Sequence, residues 1–486
     1  MDTKKIVSTA MKWGTVLLGE EDAESHFVAI GSTGSGKTIV LRLLMQSVLP
    51  SVGQGHGQRA LIYDAKQDLL PILSAFVNRN CIKTFHPYDA RGVSWHIADD
   101  VQDSATAMQL VFTLVPESGA DSNPFFRNAA RHIAWGVVVS FILSKLDWSF
   151  ADLLRALRSQ KLCKRVLRRH PHTEFLVSQY MREPKLASDI FATIAASMML
   201  YEPVASSWEH ASERLSIRDC IQKELVVVLG NAEVSRVATE RINCVLCKLW
   251  SDQVLAQQEY STNTYWGFFD EISEAGPLLH LASFAKKARS KGGRLCIAFQ
   301  SIAGLQNPKN FGQFLTDDLM ANFANRFIAR LECPLTANYV SNFIGEQEIE
   351  QKSRTSSSGS KASNSVTYSN VTRKTVLPSE LMAIKSCGIK SGLSGLFKLR
   401  STDAYWDRID AKELFGSMLI PKADDVPEFI PRNSVTQLLE PWSQEQIAHF
   451  APPVLRRKDR QQVNRKQSES HVQTQSDDLN DIDLYQ

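Results

Sequence analysis

The stretch "HFVAIGSTGSGKTIVLRLLM", residues 26–45, decides the fold. Its first part is a short apolar run suited to a strand. Gly31, Gly36, Lys37 and Thr38 then satisfy G-x-x-x-x-G-K-[ST] without a mismatch. A helical pattern follows, from Lys37 to about Gln46. Strand, glycine-rich turn and helix are the parts of a phosphate-binding loop. Glycines let the backbone curl so that successive N–H groups of Gly31, Ser32, Thr33, Gly34, Ser35 and Gly36 face inward as an anion nest. Lys37 is placed to reach the β/γ-phosphates, the Thr38 hydroxyl is a ligand for Mg²⁺, and the helix adds its positive N-terminal end.

A chain of 486 residues has room for two or three domains. Charged residues are 22% and hydrophobic ones 43%, which excludes a disordered or fibrous chain. Net charge is only +3, so nothing global announces a polyanionic partner. The distribution is uneven, however. Residues 467–486 carry five acidic side chains (Glu469, Asp477, Asp478, Asp481, Asp483) and no Lys or Arg. Eight scattered cysteines fit a reducing compartment rather than a disulfide scaffold. Cys244 and Cys247 form a lone CxxC in an apolar helical stretch and read as small buried residues. The most apolar helix candidate, "IAWGVVVSFIL" (133–143), is shorter than the ~20 residues that span a bilayer and reads as a core helix.

Around the loop the segments alternate strand and helix: "HFVAI", "TIVLRLLMQSVL", then "RALIYDAKQD" (59–68). From about 101 to 212 the pattern is almost wholly helical. Strand signals return at "ELVVVLG" (224–230), "YWGFFDE" (265–271), "RLCIAFQ" (294–300) and "ANRFIARL" (324–331). Near-continuous apolar strands alternating with helices predict a parallel sheet buried on both faces. Residues 353–372 are Ser-rich and read as a mobile loop, and the final stretch, about 455–486, reads as disordered.

A phosphate loop needs a carboxylate to hold Mg²⁺ and a base to orient the attacking water. "YWGFFDEISEAG" supplies Asp270 for the first and Glu271 for the second, directly after an apolar strand. Gln300 ends the next strand, where an amide can sense the γ-phosphate. Between those strands lie Lys286, Lys287, Arg289, Lys291 and Arg294, a solvated basic face or the source of an arginine finger for a neighbouring subunit.

With these residues in view, further stretches fall into a known order: "LIYDAKQDLL", "FHPYDARGVSWHIADD", "NPFFRNAARHI", "SIRDCI", "GFFDEISEAGPL", "KARSKGGRLCIAFQSIAGL", "NFIGEQEIEQKSRTSSSGS" and "VLPSELMAI". Over nearly all of residues 25 to 420 the chain resembles the TraD-type coupling proteins of type IV secretion and conjugation, within the FtsK/HerA-like hexameric ATPases. The resemblance implies an α/β fold: a RecA-like P-loop nucleotide-binding domain (25–100 and 213–430) with an inserted all-α domain (101–212). A segment 1–24 precedes it, and an extension 431–486 with its acidic tail follows. It implies ATP and Mg²⁺, with Lys37 and Thr38 at the phosphates, Asp270 and Glu271 at the metal and water, Gln300 as sensor and Arg289 as trans finger. Lys286 and Arg326 are the next candidates for the finger.

The resemblance further implies a homo-hexamer that moves DNA, most often single-stranded, with relaxase or relaxosome proteins and the secretion channel as partners. The basic cluster Lys164, Arg165, Arg168 and Arg169 is either a solvated helix face or a contact for that complex. The acidic tail is either a solubilising end or a docking peptide anchored by Leu479, Ile482, Leu484 and Tyr485. Such proteins usually begin with two transmembrane helices, and the roughly 30 residues before this loop contain none. A cytoplasmic place is therefore expected, peripheral at the inner membrane through a separate anchoring protein. A coupling ATPase for protein cargo, or a DNA motor not tied to a channel, stays open beside the DNA-coupling reading.

Overall fold

Short runs of apolar, β-favouring residues build the sheet at the centre of this computed structural model, which describes residues 11–117, 124–357, 363–432 and 438–453. In chain order the strands are β1 (Phe27–Ile30), β2 (Gln58–Asp64), β3 (Ile82–Thr84), β4 (Val226–Gly230), β5 (Thr264–Phe269), β6 (Gly293–Phe299), β7 (Asn325–Ile328), β8 (Leu393–Lys398) and β9 (Tyr405–Ile409). They lie side by side as β9-β8-β7-β1-β6-β5-β2-β4-β3. From β7 to β3 every pairing is parallel, and β8 and β9 add an antiparallel edge. The four residues of β1 and the seven of β6 are all buried, as strands covered on both faces must be.

The helix α1 (Lys37–Val48) packs its apolar stripe of Val40, Leu41, Leu44 and Met45 onto one face of the sheet. There it meets Phe27, Trp266, Phe268 and Ala298 in one core. Burying a side chain of that size contributes roughly 1.5–3 kcal/mol, so the loop that joins β1 to α1 is held at both ends.

The chain divides into two compact units: Met1–Asp100 with Pro203–Leu438, and Val101–Glu202 with Leu439–Gln486. The second unit contains the helices α2 (Ser104–Leu114), α3 (Phe125–Leu143), α4 (Phe150–Arg158), α5 (Gln160–Leu167), α6 (Pro171–Tyr180) and α7 (Pro184–Met198). The run from 150 to 170 reads as one pattern but is broken at Ser159, whose hydroxyl accepts from the Leu162 N–H and starts α5. α3 contains the apolar run 133–143 and is a buried core helix. Among the described residues no helix is long and apolar enough to cross a membrane. In the first unit, α8 (Arg236–Leu255) buries Cys244 and Cys247, and burial pushes both thiols up, Cys244 to about 12.

Within the Ser-rich 353–372, expected to be a mobile loop, the described residues belong to two antiparallel strands, Glu346–Ser357 and Ser363–Lys374, which pair with no other strand among the described residues. The β-branched and aromatic residues Val366, Thr367, Tyr368, Val371 and Thr372 favour a strand that serine content alone does not reveal. The stretch expected to be disordered, about 455–486, lies outside the described residues, and before it residues 439–453 are folded. Trp442 donates to Asp152 at 2.7 Å and stacks on Phe450, whose ring meets Phe141. The helix α9 (Gln444–Phe450) starts with a capping box at Ser443 and Gln446. Arg165 donates to Pro452 O, and Arg169 to His449 O and Phe450 O, so half of the basic cluster clamps this segment. The tail 467–486 and its proposed anchors lie outside the described residues.

Candidate nucleotide site

The turn after β1 takes the shape its glycines permit. Gly34 and Gly36 have φ of +71° and +106°, a region an L side chain rarely enters. A Cβ on Gly31 would approach Ala329 Cβ to 2.8 Å, so the first glycine is required by packing rather than by its dihedrals. The loop is tied to both neighbouring strands: the Gly31 N–H donates to Phe299 O and the Ser32 N–H to Arg330 O. The Ser32 hydroxyl donates to Arg330 O as well, and that of Ser35 to Ser32 O.

Lys37 is buried and turned back on the loop, donating to Gly31 O at 2.7 Å and Ser32 O at 3.0 Å. Burial pushes its ammonium down from the usual lysine range, opposed by the nearby Glu271 and Asp270 carboxylates. Beside it the Thr38 hydroxyl donates to both oxygens of Asp270, at 2.9 and 2.8 Å. Asp270 follows the last residue of β5, and Gln300 follows the last of β6, the strand between β5 and β1. Sheet order therefore sets Gln300 between loop and acids. Its Oε1 accepts from the Thr33 hydroxyl at 2.9 Å.

Glu271 accepts from the Ser273 hydroxyl at 2.5 Å. Burial pushes its carboxyl up, while the bonds to Ser273 and Gln300 and the charge of Lys37 oppose the shift. A carboxylate so placed is half-desolvated yet held by donors, the state needed to orient water at neutral pH. Together these groups line a cavity of about 710 Å³ that runs from 32 to 39 past Asp270, Glu271 and Gln300.

The residues present fit a nucleotide-bound Mg²⁺. Thr38 and Asp270 offer hard oxygen donors within 3 Å of one another. Among the described residues, however, no three or more His, Cys, Asp or Glu side chains are grouped to hold a metal. A cation here would take its remaining ligands from phosphates and water, as Mg²⁺ does with nucleotides.

Arg289 is not part of this cavity. It pairs with Glu24 at 3.1 Å beside a second cavity, of about 890 Å³, at the opposite end of β5 and β6. Lys286 pairs with Asp318 at 2.6 Å. Arg326 is packed over the Phe343 ring at 3.6 Å, and burial pushes it down to about 10. Of the three candidates for a finger, Arg326 is thus the least able to leave its place.

Sequence reading missed several residues of the site. Lys66, just after β2, reaches to 3.6 Å from Asp270. Ser273, Cys387, Gly388, Ile389 and Phe415 complete the wall. The signals available for Lys66 were its place two residues past an apolar strand and within "LIYDAKQDLL", a stretch of the resemblance; nothing local marked 387–389, which the Cys387 N–H joins to Gly34 O at 3.2 Å across 353 positions of sequence.

A parallel sheet with a phosphate loop after β1, acids after a strand two places away and an amide between them defines a RecA-like P-loop nucleotide-binding domain, here carrying an all-α insertion. The chain belongs to the type IV secretion-system coupling protein DNA-binding domain family, whose model matches residues 10–398. It is 22% identical over 330 residues to the coupling protein TraD of Escherichia coli (strain K12), covering 66% of this chain and 44% of that one. The match thus spans less than half of the curated relative's length. Among solved structures it is similar to the bacterial conjugative coupling protein TrwBdeltaN70 in its unbound monoclinic form, with TM-score 0.66, 18% identity, and 88% and 92% of the two chains covered. It is also similar to the plasmid coupling protein TrwB in complex with ADP and Mg²⁺, with TM-score 0.64, 18% identity, and 87% and 92% covered.

Proposed function

We propose that this chain is an ATP-driven DNA translocase, a coupling protein that delivers a processed DNA strand to a type IV secretion channel. The observation that carries the catalytic part is the contact between the Thr38 hydroxyl and Asp270, with Lys37, Glu271 and Gln300 around one cavity. Lys37 would reach the β/γ-phosphates once they displace Gly31 O and Ser32 O as its partners. Thr38 and Asp270 would hold Mg²⁺, which when bound neutralises charge on the phosphates. Glu271 would take a proton from the attacking water, and Gln300 would couple that water to the loop through Thr33. Arg289 would act across a subunit boundary in a homo-hexamer, since its own cavity is remote from its guanidinium.

Support for ATP and Mg²⁺ comes from similar proteins whose structures are described as complexes with ADP and Mg²⁺ and with a non-hydrolysable ATP analogue. Support for DNA and for the channel comes from the family's description and from the similarity to TraD. Relaxosome proteins, and a protein that holds the ring at the inner membrane, are the partners this reading adds.

Steady-state ATPase rate against protein concentration, with and without single-stranded DNA, tests the proposal. A rate that rises with concentration, jumps with DNA and vanishes in Glu271→Gln is expected. A rate indifferent to DNA would end the DNA part and leave a coupling ATPase for protein cargo.

A further inference from the structure

The nucleotide cavity contains a cation that the phosphate-loop pattern does not require. Lys66 Nζ lies 3.6 Å from Asp270 Oδ2, while its side chain is 60% exposed and lines the same cavity as Lys37, Glu271 and Gln300. Lys37 is committed to the loop carbonyls. That leaves Lys66 as the charge that faces Asp270 from outside the loop.

The turn that aims Lys66 is built with care. Asp64, buried at the end of β2, accepts the Gln67 N–H at 2.8 Å and the Leu69 N–H at 3.0 Å. Gln67 sits at φ +59°, a left-handed conformation that a non-glycine residue adopts at a cost, and its side-chain amide donates to Asn231 O. An unfavourable backbone held from two sides is a reason to ask what it positions. Here it fixes the base of the Lys66 side chain beside β5 and leaves the tip free to swing.

Asp270 is the carboxylate assigned above to the metal. A divalent cation there and an ammonium at 3.6 Å would compete for the same oxygen. The lysine stem is long and flexible, and the next concentration of negative charge in the filled cavity is the terminal phosphate. We propose that Lys66 is an exchangeable third cation of the site: counter-ion to Asp270 before the metal is bound, and a contact of the γ-phosphate afterwards. This rests on the nucleotide-binding reading and deepens it, because it makes one residue distinguish a triphosphate from a diphosphate.

The test is binding by the full chain, measured calorimetrically, of ADP and of a non-hydrolysable ATP analogue across a Mg²⁺ titration. Lys66→Met keeps the aliphatic stem and removes the charge; Lys66→Arg keeps the charge. In Lys66→Met the preference for the triphosphate over ADP should fall roughly tenfold, the scale of one lost charge-assisted hydrogen bond. The Mg²⁺ needed to half-saturate the ADP complex should fall as well, since the competitor for Asp270 is gone. Lys66→Arg should stay near the parent in both. A simple loss of structure cannot weaken one ligand while tightening another. Equal weakening of both nucleotides, or an unchanged Mg²⁺ requirement, overturns the exchange. If the parent chain binds neither nucleotide at any Mg²⁺ concentration, the nucleotide reading itself falls and the proposal with it.

Discussion

The Thr38 hydroxyl bridges both oxygens of the Asp270 carboxylate, at 2.9 and 2.8 Å, across 232 positions of sequence. This bond closes the phosphate loop onto the strand that carries the acids, and it marks where a divalent cation would enter. Thr38→Val keeps the shape and removes the oxygen. It should weaken Mg²⁺-dependent nucleotide binding roughly ten- to a hundred-fold, the range known for groups that set a metal site, while binding in excess chelator changes little. Titration of a fluorescent nucleotide with and without Mg²⁺ reads this directly. Equal losses in both conditions would mean that the bond serves only to hold the loop.

Glu271 carries the pH dependence. Burial raises its carboxyl above the ordinary range, so the ionised form needed to accept a proton is lost at a higher pH than for an exposed glutamate. Turnover should therefore fall as pH drops through that raised value and level off above it. Glu271→Gln should lower the rate by about 10²–10⁴-fold, retain nucleotide binding and abolish that acid limb. An acid limb that survives unchanged in the residual rate would assign it to another group.

Arg289 tests the ring. In the single chain it is held by Glu24 at 3.1 Å, away from the phosphate cavity of its own subunit. Arg289→Ala should lower turnover by about 10³-fold or more if it completes a neighbouring site, as arginine fingers do elsewhere. Mixing it with Lys37→Ala, also inactive alone, should restore some activity, because a mixed ring contains junctions with an intact loop on one side and an intact arginine on the other. No recovery at any mixing ratio would confine Arg289 to its pair with Glu24.

Thr38 and Glu271 could be singled out in the sequence because their signals are local, a loop motif and a pair of acids directly after an apolar strand, whereas Arg289 was one of several basic residues and took its expected role only from the resemblance. The parallel strands were legible for a similar reason, since burial on both faces leaves continuous apolar runs. What escaped depends on distant pairing. The three residues of β3 are too short to show a period, and β8 and β9 are recognisable only beside β7, where Phe397 meets Phe327. Lys66 stands inside "LIYDAKQDLL", one of the stretches that carry the resemblance, but nothing local gives it a role, and the aim of its turn is set by Asp64 and Asn231. The hairpin was hidden by its serine content, and the segment after 438 by its position next to a tail of low hydrophobicity.

That last segment should matter to the helical unit. Trp442 is buried, bonds Asp152 and stacks on Phe450, while Arg155 and Arg158 donate to Glu440 O and Leu439 O. Trp442→Ala removes a large ring and leaves a buried carboxylate with one partner fewer. A cost of about 3–5 kcal/mol is expected for such a change. Urea unfolding followed at residues of α4 should report it, and a change below about 1 kcal/mol would mean that the strap is laid on the unit rather than built into it.

His26, one residue before β1, should make the nucleotide domain acid-sensitive. It is buried; its Nδ1 accepts the Leu295 N–H at 3.0 Å, which puts the proton on Nε2, 2.8 Å from Ala285 O. The bond from the Leu295 N–H requires the neutral ring, because protonation would turn Nδ1 into a donor, whereas the bond to Ala285 O survives protonation and opposes the shift in part. Burial, with Arg294 and Arg289 nearby, holds its pKa down to about 4, against about 6.5 in an unfolded chain. The unfolded state therefore binds the extra proton first. The stability contributed by His26 is complete above pH 6.5 and is lost as pH falls towards 4, by at most about 3 kcal/mol. His26→Gln keeps one donor and one acceptor and cannot ionise. Relative to this variant, the parent should lose stability progressively between pH 6.5 and 4 in urea titrations. His280, held down to about 3 by burial, acts in the same direction in both proteins and cancels from the difference. Two curves that stay parallel over that range would show that the ring is not kept neutral at the start of β1, and the acid sensitivity would have to come from elsewhere.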